Sequence, residues 1–316
     1  MKKYDCRNIA ILGPTGSGKT AVAHELAARM NAAIVSCDSM QVYRGLNIGS
    51  DKPAPADLQR FNYHLIDMLE MTESWNLDRF LRQARPLIKS LNHRGKSVLL
   101  VGGTGLYAKA LIYHYQLPAA DSAIYREIFA RTTTAEGRAE LHEEVLAGEG
   151  GNVPPDLLRN PRRLARAVEI VRLQGRLPEN FVEIDAGRES TGFDRFSQFI
   201  IMPPDRELRQ AIARRTRQMI ERGWIEETRA LLDGGLQQSP TARQVLGYSL
   251  VAAWLRGEVD SLEELARRIE QRTWQYARRQ RTWFRRQHPG ACLLTLRPGV
   301  GRNRVADAIA SVVEGG

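Results

Sequence analysis

The 316-residue sequence predicts an α/β fold: a parallel sheet covered by helices, interrupted by a mostly α-helical insertion. Three observations predict it. Short apolar runs at 8–12, 32–36 and 97–101 alternate with segments whose apolar residues recur at helical spacing, the pattern of βαβ units. The first run passes through a glycine-rich turn straight into a helix. From about 118 to 190 strand-like runs stop while helical patterning continues. The expected division is a core built from 1–117 and 195–316, with a helical domain at 118–194 between its halves.

The elements follow in order. Asn8-Ile9-Ala10-Ile11-Leu12 has no polar residue after its first and reads as a strand buried on both faces. An Ala/Leu-rich helix then runs to Met30, and 32–36 is a second strand. Leu77, Phe80, Leu81, Ala84, Leu87, Ile88 and Leu91 keep helical spacing, so 78–93 is a helix. The strand at 97–101 ends at Gly102-Gly103. Helices are expected at 121–148 and 156–174, the second marked by Asn160-Pro161, an N-cap with proline at the first helical position. A polar, glycine-bearing loop is expected at 183–194. Strand character returns at 198–203, followed by helices at 205–222, 224–233 and 245–256. Ser261 with Glu264 forms a capping box that opens a long helix to about 287. A strand at 291–296 and a short helix close the chain.

Composition narrows the function classes. Hydrophobic residues at 43% and charged residues at 26% exclude a chain disordered throughout. No apolar run approaches the ~18 residues of a membrane helix. Residues 1–5 lead directly into the first strand and do not resemble a signal peptide, so a cytoplasmic location with no membrane association is expected. Cys6, Cys37 and Cys292 lie far apart, without a CxxC pair, which argues against zinc or a disulfide framework. The net charge is 46 − 36 = +10, carried almost entirely by arginine: there are seven lysines and none after Lys109. Such a balance fits a polyanionic partner or a phosphate-bearing substrate. An arginine-rich coding composition combined with ordinary solubility would produce the same count.

Gly13-Pro14-Thr15-Gly16-Ser17-Gly18-Lys19-Thr20 matches GxxxxGK(S/T) between a strand and a helix, the context that a phosphate-binding P-loop requires. Its glycines let backbone N–H groups curl around phosphate oxygens, and the helix N-terminus adds partial positive charge. Lys19 supplies a point charge, and the Thr20 hydroxyl suits Mg²⁺. The loop alone does not choose between ATP, GTP and a diphosphate that is not a nucleotide. Asp38 follows the second strand on the sheet edge where ligands of open α/β sheets bind. It suits either a general base or the N-cap of a helix.

A resemblance spans nearly the whole chain. Asp38-Ser39-Met40-Gln41-Val42-Tyr43, continued to Ile48-Gly49, resembles the DSxQxYxxxxIG segment of the tRNA dimethylallyltransferases, the isopentenyl-tRNA transferase family. The phosphate loop, His64-Leu65-Ile66-Asp67, Gly102-Gly103-Thr104-Gly105-Leu106-Tyr107, Asn160-Pro161-Arg162-Arg163, Gly247-Tyr248 and the Tyr276-to-Arg285 segment resemble further family motifs in the same order. Where many members read TAKP, this chain has Ser50-Asp51-Lys52-Pro53.

The resemblance implies transfer of a dimethylallyl group from dimethylallyl diphosphate to N6 of the adenosine 3′ of the anticodon, in tRNAs that read codons starting with U. It implies Asp38 as proton acceptor, Thr104 near the reacting adenine, and Lys19 with Gly13, Pro14, Thr15, Gly16, Ser17, Gly18 and Thr20 on the diphosphate, with Mg²⁺ at Thr20. Arg215 aligns best as a further diphosphate ligand, with Arg214 and Arg217 as rivals. The anticodon stem-loop of tRNA is expected to meet Asp38, Ser39, Met40, Gln41 and Thr104. Its further contacts are expected at Arg126, Arg162, Arg163, Leu164, Ala165 and Arg166, at Arg243, Gln244, Val245, Leu246, Gly247 and Tyr248, and at Arg278, Arg279 and Arg281. A monomer is expected. Residues 267–286 hold eight arginines and four aromatics, which read either as an RNA face or as a helix with its aromatics in the core. Two alternatives remain: prenyl transfer to a free adenine nucleotide, and a P-loop small-molecule kinase.

Overall fold

The computed structural model describes residues 7–148, 153, 159–177, 195–295 and 299–314. Among them six strands form one sheet: β1 (Asn8–Leu12), β2 (Ala33–Ser36), β3 (Tyr63–His64), β4 (Val98–Gly102), β5 (Phe196–Ile201) and β6 (Cys292–Leu294), in the order β3-β2-β4-β1-β5-β6. Every pairing is parallel. Leu12 stands in register with Gly102 on one side and Ile200 on the other, and Ser36 with Val101. The chain therefore leaves β1, β2, β4 and β5 along one edge of the sheet. The central strands β1 and β4 are buried along their whole length, the pattern of a parallel sheet covered on both faces, whereas β5 carries the polar pair Ser197-Gln198 near its start.

The chain forms two compact units, Met1–His114 with Glu189–Gly316, and Tyr115–Arg188. In the first, α1 (Lys19–Met30) and a C-terminal helix, Arg302–Glu314, pack on the sheet through Val22, Leu26, Val305 and Ile309 against Ile9, Ile11, Ile34 and Leu99. A short helix α2 (Pro55–Arg60) precedes β3. Helices α3 (Leu77–His93) and α4 (Gly105–Ile112) pack on each other. The second unit holds α5 (Ser122–Arg131), α6 (Ala135–Gly148) and α7 (Pro161–Gln174) around Ile128, Leu141, Val145, Leu164, Ala165 and Val168. Back in the first unit come α8 (Asp205–Glu221), α9 (Trp224–Asp233), α10 (Tyr248–Leu255) and α11 (Leu262–Gln287); the C-terminal helix is α12. No described helix is long and apolar enough to cross a membrane.

Local signals account for most boundaries. The Asn160 side chain accepts from the amides of Arg162 and Arg163, and Ser261 from that of Glu264. The single helix expected at 121–148 is two helices. Thr132 and Thr133 turn their hydroxyls back onto the carbonyls of Phe129 and Ala130 and end α5; Thr134 then accepts from the amide of Gly137 and opens α6. The helix expected from 245 starts at Tyr248, because Gly247 has φ 94° and the Trp224 ring lies where its Cβ would be. The two-residue β3 is too short to leave a pattern, and α4 begins in glycines that mask it. The loop expected at 183–194 lies outside the described residues.

Candidate active site

The site is built on the C-terminal edge of β1, β2 and β4. Gly13 and Gly18 have φ of 145° and 84°, which side-chain-bearing residues rarely adopt, and these turns curl residues 13–18 into a cradle at the N-terminus of α1. Lys19 folds back so that Nζ donates to the Pro14 carbonyl at 2.8 Å. Burial draws its pKa down to about 8, helped by Arg215 and opposed by Asp38 and Asp51. The Ser17 hydroxyl is buried in the loop without a hydrogen-bond partner among the described residues. From α8, Arg215 donates to Thr15 Oγ1 at 2.7 Å and to Asp51 Oδ2 at 2.9 Å, whereas Arg214 and Arg217 stay exposed. Arg215 is thus the arginine of the three that joins the phosphate loop.

Asp38 leaves β2 beside this loop. The Cys37 amide donates to the Val101 carbonyl at 2.7 Å and the Thr104 amide to the Cys37 carbonyl at 3.3 Å, which ties the ends of β2 and β4 together. Only glycine fits at 102, where a Cβ would lie 2.0 Å from the Cys37 oxygen. Asp38 Oδ1 accepts from the amides of Met40 at 2.8 Å and Gln41 at 3.3 Å. The carboxylate caps a turn rather than a helix, and Oδ2 has no hydrogen-bond partner among the described residues. Burial raises the Asp38 pKa, while the two amides and Lys19 oppose the shift. A half-buried carboxylate with one free oxygen and a raised pKa is a competent proton acceptor. Thr104 sits at the N-cap of α4 without using its side chain as a cap, so its hydroxyl remains available beside Asp38's strand end.

One residue outside the predicted set joins these loops. Gln280 of α11 accepts from the Thr15 amide and donates to the Gly103 carbonyl, both at 2.8 Å. Its motif was visible in the sequence, but its partners lie far away along the chain. Tyr276, one turn earlier, has a phenol pushed up by burial and by the charge of Asp38. Glu227 of α9 is a second such residue: its carboxylate accepts from the amides of Asn47, Ile48 and Gly49 and from the Tyr248 hydroxyl, and so holds the loop that follows Asp38.

Several of the residues expected at the RNA have their side chains engaged within the fold. Leu164, Ala165, Val245 and Tyr248 are buried, so their side chains hold the fold. The Gly247 Cα is pressed against Trp224. Arg166 pairs with buried Glu169 at 2.6 Å and donates to the Pro118 carbonyl. Arg281 pairs with Asp205 at 2.9 Å and donates to the Pro203 carbonyl, a strut between α11 and α8. Gln41 spends its side-chain amide on Ser36, Ser50 and Asp51 and so braces the loop that follows Asp38. Ser39, Met40 and Leu246 are half-buried; Arg126, Arg162, Arg163, Arg243, Gln244, Arg278 and Arg279 are exposed. Arg278, Arg279, Arg286 and Trp283 line an open depression of about 550 Å³ on α11. Of the four aromatics in this helix, Trp274 and Phe284 are in the core.

Known proteins resemble this chain over most of its length. The model of the IPP transferase family matches residues 41–287. A tRNA dimethylallyltransferase of Rhodococcus jostii is 36% identical over 286 residues, 88% of each chain. The crystal structure of a tRNA isopentenylpyrophosphate transferase from Bacillus halodurans is 31% identical, superposes with a TM-score of 0.67, and covers 98% of this chain and 97% of its own. A eukaryotic dimethylallyltransferase solved acting on tRNA shares the fold, with a TM-score of 0.79 at 22% identity over 98% of this chain and 80% of its own. With a P-loop, an adjoining carboxylate and matches over most of its length, the chain belongs to the IPP transferase family.

Proposed function

We propose that this protein transfers the dimethylallyl group of dimethylallyl diphosphate to N6 of the adenosine immediately 3′ of the anticodon of tRNA. The observation that carries the reading is the pairing of a phosphate loop, furnished with Lys19 and Arg215, with a carboxylate that keeps one oxygen free. The exocyclic adenine amine is a weak nucleophile and diphosphate leaves well only when its charge is compensated. The N6 lone pair forms the new bond to C1 of the dimethylallyl group as the C1–O bond breaks. The electron pair of that bond departs with diphosphate, and the N6 proton passes to Asp38 Oδ2. Lys19, Arg215 and the loop amides stabilise charge that grows on the leaving oxygens. Arg278 and Arg279, exposed beside the α11 depression, supply cations for RNA phosphates.

The residues present fit magnesium. The Thr20 hydroxyl at the start of α1 makes no hydrogen bond among the described residues, and no cluster of three His, Cys, Asp or Glu side chains occurs among them. So sparse an oxygen set matches an ion held by one or two protein oxygens and by substrate phosphates. When bound there, Mg²⁺ supplies charge neutralisation for the diphosphate.

The test is transfer of labelled dimethylallyl from its diphosphate to unmodified tRNA or to free AMP, with ATP consumption followed in parallel. Label in tRNA that disappears when the target adenosine is replaced is the expected result. Label in AMP alone assigns the free-nucleotide reaction, and ATP consumption without label assigns a kinase.

A further inference from the structure

The C-terminal helix α12 brings an arginine to the phosphate loop from outside the 41–287 region that matches the family model. Arg302 is its first residue. The guanidinium lies where a side chain on Gly18 would begin: Cζ is 2.6 Å, and Nε and Nη2 are 2.8 Å, from the position of a Gly18 Cβ. Gly18 is the N-cap of α1 and the last glycine of the phosphate loop.

The charge stands where positive potential converges. It sits at the N-termini of two helices, α1 and α12, both of which carry partial positive charge, and it lies close to the loop that holds Lys19. Arg302 is exposed, and no carboxylate among the described residues pairs with it. Its position is not an accident of a loose tail, because α12 is anchored: Val305, Ala306 and Ile309 are buried in the sheet core, and Asp307 pairs with Arg29 of α1. The Ser17 hydroxyl, buried in the same loop, is a second group that lacks a hydrogen-bond partner among the described residues. A guanidinium beside two helix N-termini adds to a site that favours an anion.

We propose that Arg302 is a further ligand of the diphosphate group, acting at the Gly18 end of the loop while Arg215 acts at Thr15. A guanidinium binds phosphate oxygens with paired N–H donors, which a point charge such as Lys19 does not. The three cations then differ in origin: Lys19 from the loop, Arg215 from α8 and Arg302 from α12.

This inference rests on the diphosphate reading of the loop, and its test separates the two. Binding of inorganic pyrophosphate is followed by its protection against thermal unfolding, and the KM for dimethylallyl diphosphate is measured beside it. Arg302→Ala is expected to raise both the pyrophosphate midpoint and the KM about tenfold, the size of one charge-assisted contact, with the KM for tRNA unchanged. Arg302→Lys is expected to recover part of the loss. Arg304→Ala, an equal loss of charge at an exposed position of the same helix, is expected to leave both values as they are. Arg302→Ala that binds pyrophosphate like the parent, or Arg304→Ala that weakens it equally, overturns the proposal. A parent protein that binds pyrophosphate but transfers no dimethylallyl group overturns the proposed function and still scores Arg302.

Discussion

Removing the side-chain amide of Gln280 tests whether the site is held together through α11. The amide is buried and makes two bonds of 2.8 Å, one to the Thr15 amide and one to the Gly103 carbonyl. In Gln280→Ala the Gly103 carbonyl is left unpaired in a buried position, which costs ~1–3 kcal/mol, and the half-exposed Thr15 amide loses a bond worth about 1 kcal/mol net. The expected destabilisation is therefore about 2–4 kcal/mol, read from urea unfolding at constant m. Because the two bonds join the phosphate loop to the turn bearing Thr104, KM for dimethylallyl diphosphate is expected to rise with it. Gly103→Ala reaches the same bridge from its other end, since a Cβ there would lie 2.5 Å from Gln280 Nε2. The double variant is then expected to be little worse than either single one. A Gln280→Ala protein within about 0.5 kcal/mol of the parent, with KM unchanged, would refute the bridge as the tie between the loops.

Further outcomes concern the proton acceptor, the pH profile and the arginines of α11. Asp38→Asn keeps an oxygen for the Met40 and Gln41 amides but loses basicity, so turnover should fall ~10²–10⁴-fold with tRNA affinity retained; undiminished turnover removes Asp38 as proton acceptor. In a pH series, Lys19 is charged below about 8 and neutral above it, so KM for dimethylallyl diphosphate should climb above that pH. On the acid side kcat should fall as Asp38 protonates, at a pH above the ordinary carboxylate range because its pKa is raised, and Asp38→Asn should lack this limb. Neutralising Arg278 and Arg279 together should reduce the salt slope of tRNA binding by about 1.5, at 0.7–0.9 per phosphate contact. Arg281→Ala should instead lower stability and leave the slope alone, since Arg281 is occupied by Asp205 and Pro203.

Much of this protein is set by interactions within a few residues of chain, and those parts are legible in the sequence. Apolar runs mark β1, β2 and β4; glycines with positive φ shape the phosphate loop; Asn160 and Ser261 cap the helices that they precede. The loop lysine and Asp38 can be placed on one sheet edge because strand ends in a parallel sheet share an edge. Tertiary structure alone decides which side chains close the site. Arg215 finds Thr15 and Asp51, Gln280 finds Thr15 and Gly103, and Glu227 finds the amides at 47–49. It likewise turns Arg166, Arg281 and Tyr248 inward, although their spacing in the sequence matches that of exposed neighbours. The reason is physical. A turn or a helix cap depends on chain geometry over one to four residues. The choice of partner for a guanidinium or an amide depends on sheet order and on how helices from distant parts of the chain pack against it, and no local pattern encodes that.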